Sequence, residues 1–284
     1  MPMQHYLLID SGHRRKLEQI GHIRLVRPAP NAFWPPLCDA SEWDTADGSF
    51  ERNSSGGGTW TWKGGRAPEP WTISHGGLSL LIRPTNFGHL GFFAEQSANW
   101  DWLRSLAPAL PQPARTLNLF AYSGGASLAM AQAGAQVCHL DAAKGMIEWG
   151  KENLALNPKI PETIRWIADD VFKFVGRELK RGASYHGIVL DPPSFGRGAQ
   201  GQVWKLEDGL LDLLSDCRKL LVADAPHFVL LSCHSPGFSP LSLARMLEAV
   251  FPGSRGLAES GEMSVAESSG RVLPAGIYAR FLSK

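Results

Sequence analysis

Beyond residue 113 the chain alternates short apolar runs with helix-length periodic segments, and no other feature of the sequence narrows the fold as much. Residues 115–120, 135–141, 163–168, 187–190 and 228–232 read as strands. Helical patterns at 126–133, 143–156, 172–180, 205–222 and 241–250 separate or follow them. Strands alternating with helices build a parallel sheet covered on both faces, because crossovers between parallel strands are right-handed. Two more extended runs, 261–265 and 277–282, bring the strands to seven, with the last expected to be antiparallel. The predicted fold class is α/β, a doubly wound, mostly parallel seven-stranded sheet.

Ligands of such sheets bind beyond the carboxyl ends of the strands. The fourth strand ends in Leu190-Asp191-Pro192-Pro193-Ser194-Phe195-Gly196. Each proline lacks an N–H and fixes φ at about −65°, so the strand cannot continue. Asp191 is thereby held at the rim with an aromatic close behind it, a set that suits a flat nitrogenous ring better than a phosphate. The first strand exits through Ala121-Tyr122-Ser123-Gly124-Gly125, the second ends at Asp141, and the third runs into Asp169-Asp170-Val171. A glycine turn after the first strand and an acid ending the second describe an adenosine site, the acid taking the ribose hydroxyls. The chain has neither G-x-G-x-x-G nor a Walker lysine at this turn, which speaks against a pyrophosphate or triphosphate. A nucleoside without phosphates fits, and Asp169 or Asp170 would accept its adenine amino hydrogens. Helix capping accounts for any one of these acids. Three successive strand ends of this kind point to a ligand.

Composition sets the remaining bounds. The chain of 284 residues is 44% hydrophobic and 19% charged, as expected of a soluble globular protein. It has no apolar run of the ~20 residues that a bilayer span requires and no signal-peptide pattern near Met1, so no membrane association is expected. Cys38, Cys138, Cys217 and Cys233 stand far apart, arguing against a disulfide scaffold and a zinc site, and fitting a reducing cytoplasm. No metal is expected. A net charge of +1 limits any nucleic-acid contact to local patches, and the composition sets no oligomeric state.

Residues 1–85 differ from the rest. They hold five of the ten tryptophans, Trp34, Trp43, Trp60, Trp62 and Trp71, with alternating runs at 59–63 and 78–83 that read as strands. A small β-rich domain is expected there, with substrate or RNA recognition as its role. Residues 86–113 read as a segment and linker, containing an amphipathic helix from Ser97 and the proline-rich stretch 108–113, before the domain of residues 114–284.

Together, Phe92-Phe93-Ala94-Glu95-Gln96, Asn118-Leu119-Phe120-Ala121-Tyr122-Ser123-Gly124-Gly125, Asp169-Asp170-Val171-Phe172, Asp191-Pro192-Pro193-Ser194-Phe195, Ser232-Cys233-His234-Ser235 and Val272-Leu273-Pro274 resemble a known family. It is the class I, Rossmann-like S-adenosylmethionine-dependent methyltransferases that act on large-subunit ribosomal RNA. The likeness covers roughly residues 86–284. It implies S-adenosyl-L-methionine as cofactor, with Asn118, Phe120, Tyr122, Ser123 and Gly124 holding its methionine part. Asp141, followed by Ala142, would take the ribose, and Asp169, Asp170 and Val171 the adenine. Phe93 and Gln96 would close over the site, and Asp191 would border both cofactor and acceptor. The RNA-binding domain that many relatives carry is not recognisable in residues 1–85.

Two acceptors are compatible with these residues. Carbon 5 of cytosine is a poor nucleophile, and enzymes acting there first add a thiolate to carbon 6, a role open to Cys233 at the end of the fifth strand. The resemblance of Ser-Cys-His-Ser to the cysteine-bearing segment of the cytosine-C5 branch favours this acceptor. A base nitrogen would instead use Asp191 as acceptor, Pro193 as orienting carbonyl and Phe195 as stacking partner, although Ser194 displaces the aromatic from its usual place after the prolines. Arg197, the run Arg14-Arg15-Lys16 and the helix face of Lys173, Arg177, Lys180 and Arg181 are candidate RNA phosphate contacts. A methyltransferase for proteins or small molecules and a catalytically silent binding module are the alternative readings.

Overall fold

The computed structural model describes residues 5–53, 56–197, 203–251 and 256–283, which group into two compact units. The first comprises Met1–Ser97 and Met263–Ala275, the second Ala98–Glu262 and Gly276–Lys284. Both units are discontinuous in sequence, unlike the contiguous segments that composition suggested: the helix after Ser97 goes with the large unit, and the tip of the last hairpin goes with the small one. Local composition does not register such long-range exchange, because it follows the chain and not the contacts.

The first unit contains β1 (Tyr6–Gly12), β2 (Arg15–Ile20), β3 (Ile23–Pro28), a one-turn α1 (Ala40–Trp43), β4 (Gly48–Arg52), β5 (Gly58–Trp62), β6 (Trp71–His75) and β7 (Leu78–Ile82). The first five strands form one sheet in chain order and the last two form a hairpin, so the expected β-rich character holds. Its earliest strands were hidden from pattern reading because their inward positions are partly polar: Asp10, Ser11 and Glu18 are buried. Two networks satisfy them. Glu18 accepts from Tyr6 Oη at 2.8 Å and from Arg27 Nε at 2.7 Å, with Lys16 Nζ at 2.9 Å. Asp10 accepts from the backbone N–H of Cys38 and from Trp43 Nε1, and pairs with Arg271 at 2.7 Å, which also bonds Glu267 at 2.8 Å.

The second unit begins with α2 (Ser97–Ser105) and continues as β8 (Arg115–Leu119), α3 (Gly125–Gln132), β9 (Gln136–Asp141), α4 (Lys144–Ala155), β10 (Ile164–Ala168), α5 (Val171–Lys180) and β11 (Gly187–Leu190). A small hairpin, β12 (Phe195–Arg197) and β13 (Val203–Lys205), leads into α6 (Leu206–Lys219), β14 (Phe228–Cys233), α7 (Pro240–Val250), β15 (Gly256–Ala266) and β16 (Val272–Ser283). The sheet order is β10-β9-β8-β11-β14-β16-β15, and β16 runs antiparallel to β14 as anticipated. The central strands are buried along almost their whole length, which is why they read as continuous apolar runs. Gly187 is obligatory in this packing, since a Cβ there would lie 2.0 Å from the ring of Phe228 on the neighbouring strand. Helix α5 buries Val171, Phe174, Val175 and Glu178, a 3–4–7 spacing that covers one face of the sheet. The chain order reverses between β8 and β11, and the crevice above that reversal is where such sheets take a ligand. Among the described residues no helix is long and apolar enough to cross a membrane.

Candidate active site

The loop leaving β8 is tightly wound. Phe120 and Tyr122 adopt left-handed backbone at φ 57° and 50°, followed by Gly124 at φ 95°. A non-glycine residue at positive φ is costly and concentrates where geometry is functional. Three interactions hold the loop in this form. Tyr122 N donates to Asp141 Oδ2 at 2.9 Å, Asn153 Nδ2 donates to Ser123 O at 2.9 Å, and a Cβ at Gly125 would lie 2.4 Å from the indole of Trp100. Asp141 also accepts from Ala143 N through its other oxygen at 2.9 Å. Burial raises the pKa of Asp141 above the ordinary carboxylate range, and the amides of Ala143 and Tyr122 act against that rise. Each oxygen has spent one lone pair on an amide, leaving the others for hydroxyl donors.

Asn118 lies beneath this loop and faces inward. Its Nδ2 donates to Ser127 Oγ at 2.9 Å, and Ser127 Oγ lies 2.9 Å from Nδ1 of the buried His139. His139 packs on Trp166 at 4.5 Å, and burial drives its pKa down to about 3, so the ring is neutral. Neither Ser127 nor His139 was singled out from sequence. The available signal was the position of His139 two residues before Asp141, on the same side of a buried strand.

At the end of β10, Asp169 bonds the amide of Asp170 at 2.8 Å and pairs with Arg177. Asp170 caps α5 by accepting from Lys173 N at 3.0 Å. The helix face expected to track phosphates is thus partly committed: Arg177 goes to Asp169, and Arg181 to the buried Glu178 at 2.9 Å. The Arg14-Arg15-Lys16 run is likewise divided, with Arg14 over Phe33, Arg15 over Trp43 and Lys16 on Glu18.

The fourth and fifth strand ends come together. Leu190 pairs with Leu231 across β11 and β14, so Asp191 and Cys233 leave the sheet side by side. His234 Nε2 stands 3.7 Å from Asp191 Oδ1, and Ser235 Oγ donates to Ser194 Oγ at 2.6 Å, lacing the two exits. Cys233 is 1% exposed, and its sulfur accepts from Ser235 N at 3.4 Å. Burial raises the thiol pKa, Ser235 opposes that rise and Asp191 adds to it. Pro193 and Phe195 are exposed, and the side chain of Arg197 lies outside the described residues. Trp204, which sequence reading did not flag, faces Gly196 across the small hairpin and stacks on Phe120 at 5.8 Å. Phe93 and Gln96 belong to the first unit. Phe93 meets His89 edge-on at 5.4 Å, and Gln96 is buried in a 3-10 turn, Ala94–Gln96.

Comparison with known proteins decides what kind of site this is. The family model for S-adenosylmethionine-dependent methyltransferases matches residues 39–243, well over half of the chain. The chain belongs to this family. A methyltransferase structure from Agrobacterium tumefaciens is 39% identical, with a TM-score of 0.92 over 99% of this chain and 91% of that one. A methyltransferase solved with S-adenosylhomocysteine shares the fold at a TM-score of 0.74 and 18% identity, covering 99% of this chain and 76% of that chain. A ribosomal RNA large subunit methyltransferase of Deinococcus radiodurans is 35% identical over 132 residues, which is 44% of this chain and 31% of that protein. Ribosomal RNA large subunit methyltransferase I of Aeromonas salmonicida is 29% identical over 182 residues, 64% of this chain and 44% of that protein. The chain therefore spans less than half the length of these two relatives.

The site fits the family's cofactor. Asp141 retains lone pairs for a diol, and the left-handed loop brings backbone to the crevice without the fingerprint that a pyrophosphate requires. Among the described residues no group of three or more His, Cys, Asp or Glu could hold a metal ion.

Proposed function

We propose that this methyltransferase transfers the methyl group of S-adenosyl-L-methionine to a base of large-subunit ribosomal RNA, with cytosine C5 the favoured acceptor. One observation carries the reading: a carboxylate, Asp191, and a thiol, Cys233, leave adjacent central strands at the same rim, beside the adenosine-type loop. The names of the curated relatives support ribosomal RNA as the substrate class.

The bound cofactor supplies an electrophilic methyl carbon on a sulfonium. Everything else falls to side chains. Asp141 would hold the ribose hydroxyls, Asp170 and Val171 the adenine, and the Phe120–Gly124 backbone the methionine end. Cys233 would attack carbon 6 as thiolate, which makes carbon 5 nucleophilic. Asp191 would hold the exocyclic amine of the cytosine, and Phe195, 49% exposed, would stack on the base. In-line transfer demands alignment more than further chemistry. Phe93 and Gln96 would complete the cofactor's enclosure.

A second reading has its own support. Cys233 is almost fully buried with a raised thiol pKa, which favours a nitrogen acceptor served by Asp191, Pro193 and Phe195 with no thiol step. Tritiated methyl transfer to total RNA, protein extract and small-molecule pools separates the substrate classes. Cys233→Ala separates the two RNA readings. On the cytosine-C5 route it abolishes transfer and leaves cofactor affinity unchanged; full activity in the variant removes the covalent route.

A further inference from the structure

Cytosine C5 methylation poses a second chemical task after the methyl group arrives, and the two laced strand ends hold residues suited to it. Carbon 5 then carries both the new methyl group and its original hydrogen, while carbon 6 carries the enzyme's sulfur. Release needs a base to take the carbon 5 proton. The C–H electron pair re-forms the C5=C6 bond, the C6–S pair returns to sulfur, and the thiolate is regenerated. The balance is complete with the base alone. No oxidant, metal or further reactant enters.

That base must reach the acceptor beside Cys233, present a free lone pair near neutral pH, and be accessible. Cys233 itself is occupied as nucleophile. His139 is sealed beneath the glycine loop on Ser127. Asp191 is a weaker base by its ordinary carboxylate range, and its part in this site is to grip the cytosine amine. His234 meets all three conditions. It follows Cys233 directly, its side chain is 32% exposed, and its Nε2 stands 3.7 Å from Asp191 Oδ1. An imidazole is half-protonated at about pH 6.5, close to the value that makes a general base efficient near neutrality. The neighbouring carboxylate favours the imidazolium formed when the proton is taken, in the manner of a base with its orienting acid. The Ser235–Ser194 bond at 2.6 Å ties the two exits just beyond the pair.

We propose that His234 is a catalytic residue of this enzyme, the base that removes the carbon 5 proton, with Asp191 holding and balancing its ring. The inference rests on the cytosine-C5 reading above. The test uses the full chain, S-adenosylmethionine, and large-subunit ribosomal RNA from cells lacking this protein. Two products are measured: 5-methylcytosine after nuclease digestion, and denaturation-resistant protein–RNA adduct by mass.

In His234→Ala, turnover falls ~10²-fold or more, and an adduct that already carries the methyl group accumulates. Cofactor affinity by calorimetry stays within about twofold, as expected for loss of a single base without loss of fold. His234→Gln, which keeps shape and polarity, shows the same adduct, and added imidazole restores part of the turnover of the alanine variant. Wild-type turnover in either variant, or slow turnover without adduct, overturns the assignment. Failure of the reading beneath it looks different: wild-type protein then yields neither 5-methylcytosine nor any adduct, and Cys233→Ala behaves as wild type.

Discussion

The two units of this protein are stabilised by different means. In the large unit, twenty-six buried residues on β8, β9, β11, β14, β16, α5, α6, α7 and their connections form one apolar cluster, from Leu117 to Phe281. Area removed from water does the work there, at about 25 cal/mol per Å² of apolar surface. The small unit has buried apolar residues of its own, but its first strands direct acids inward. Glu18 is fully buried, and burial alone would raise its pKa. Arg27 and then Lys16 outweigh that effect and bring it down to about 2. Asp10 is similarly enclosed, and its pKa falls because the amides of Cys38 and Leu37 and the indole of Trp43 outweigh burial. A short antiparallel sheet has little interior to fill, and fixed charge pairs give it a unique register. Buried pairs of this kind add little net stability while intact, but losing one partner is severe.

The largest effect that would test this contrast is expected from Arg27→Ala. It leaves Glu18 buried with Lys16 and Tyr6 alone and should cost the small unit about 3–5 kcal/mol. Hydrogen exchange read by mass spectrometry, peptide by peptide, should show β1–β3 losing protection before α5 or α6. Uniform loss across both units would dissolve the distinction.

Acid should separate the units in the opposite order. The folded-state pKa of His139 lies near 3, below its unfolded value of about 6.5, so the unfolded state binds the extra proton first. The large unit thus loses stability as pH falls below 6.5, by roughly 1.4 kcal/mol per pH unit, until about pH 3. Glu18, with its pKa depressed to about 2, contributes stability that is complete above the unfolded value of 4.5 and disappears as pH falls through 2. Exchange at pH 5.5 should therefore show the large unit weakened and the Glu18 network intact. His139→Asn should flatten the decline between pH 6.5 and 4; an unchanged slope would assign that decline to another group.

Asp141→Asn keeps the loop's shape and replaces an acceptor pair that favours a diol. Cofactor affinity by calorimetry should fall about tenfold, or ~1.4 kcal/mol. An unaltered dissociation constant would contradict the ribose assignment. The smallest effect belongs to Arg245→Ala. This removes an exposed ion pair with Glu248 on α7 and should change unfolding free energy by less than ~0.5 kcal/mol. Set beside Arg27→Ala, it measures how much of a salt bridge's cost comes from burial.

The parallel strands were legible because burial on both faces makes them uninterrupted apolar runs, as in Gly187–Leu190 and Phe228–Cys233. The small unit was less so. Of its strands, pattern reading found β5 and β7, whose alternation is clean, and passed over β1 and β2, where Asp10, Ser11 and Glu18 occupy inward positions. Hairpin β12–β13 was missed because three-residue strands carry no period.

What the sequence by itself determined is the order of strands and helices, the acids and glycines at their carboxyl ends, and with them the class of ligand. These are local matters of periodicity, proline geometry and side-chain chemistry. Tertiary structure alone decided that Asp191 meets His234 at 3.7 Å, that Asn118 turns inward to Ser127, and that Arg271 closes on Asp10. Each joins residues far apart along the chain, and only packing of the strands that carry them sets such distances.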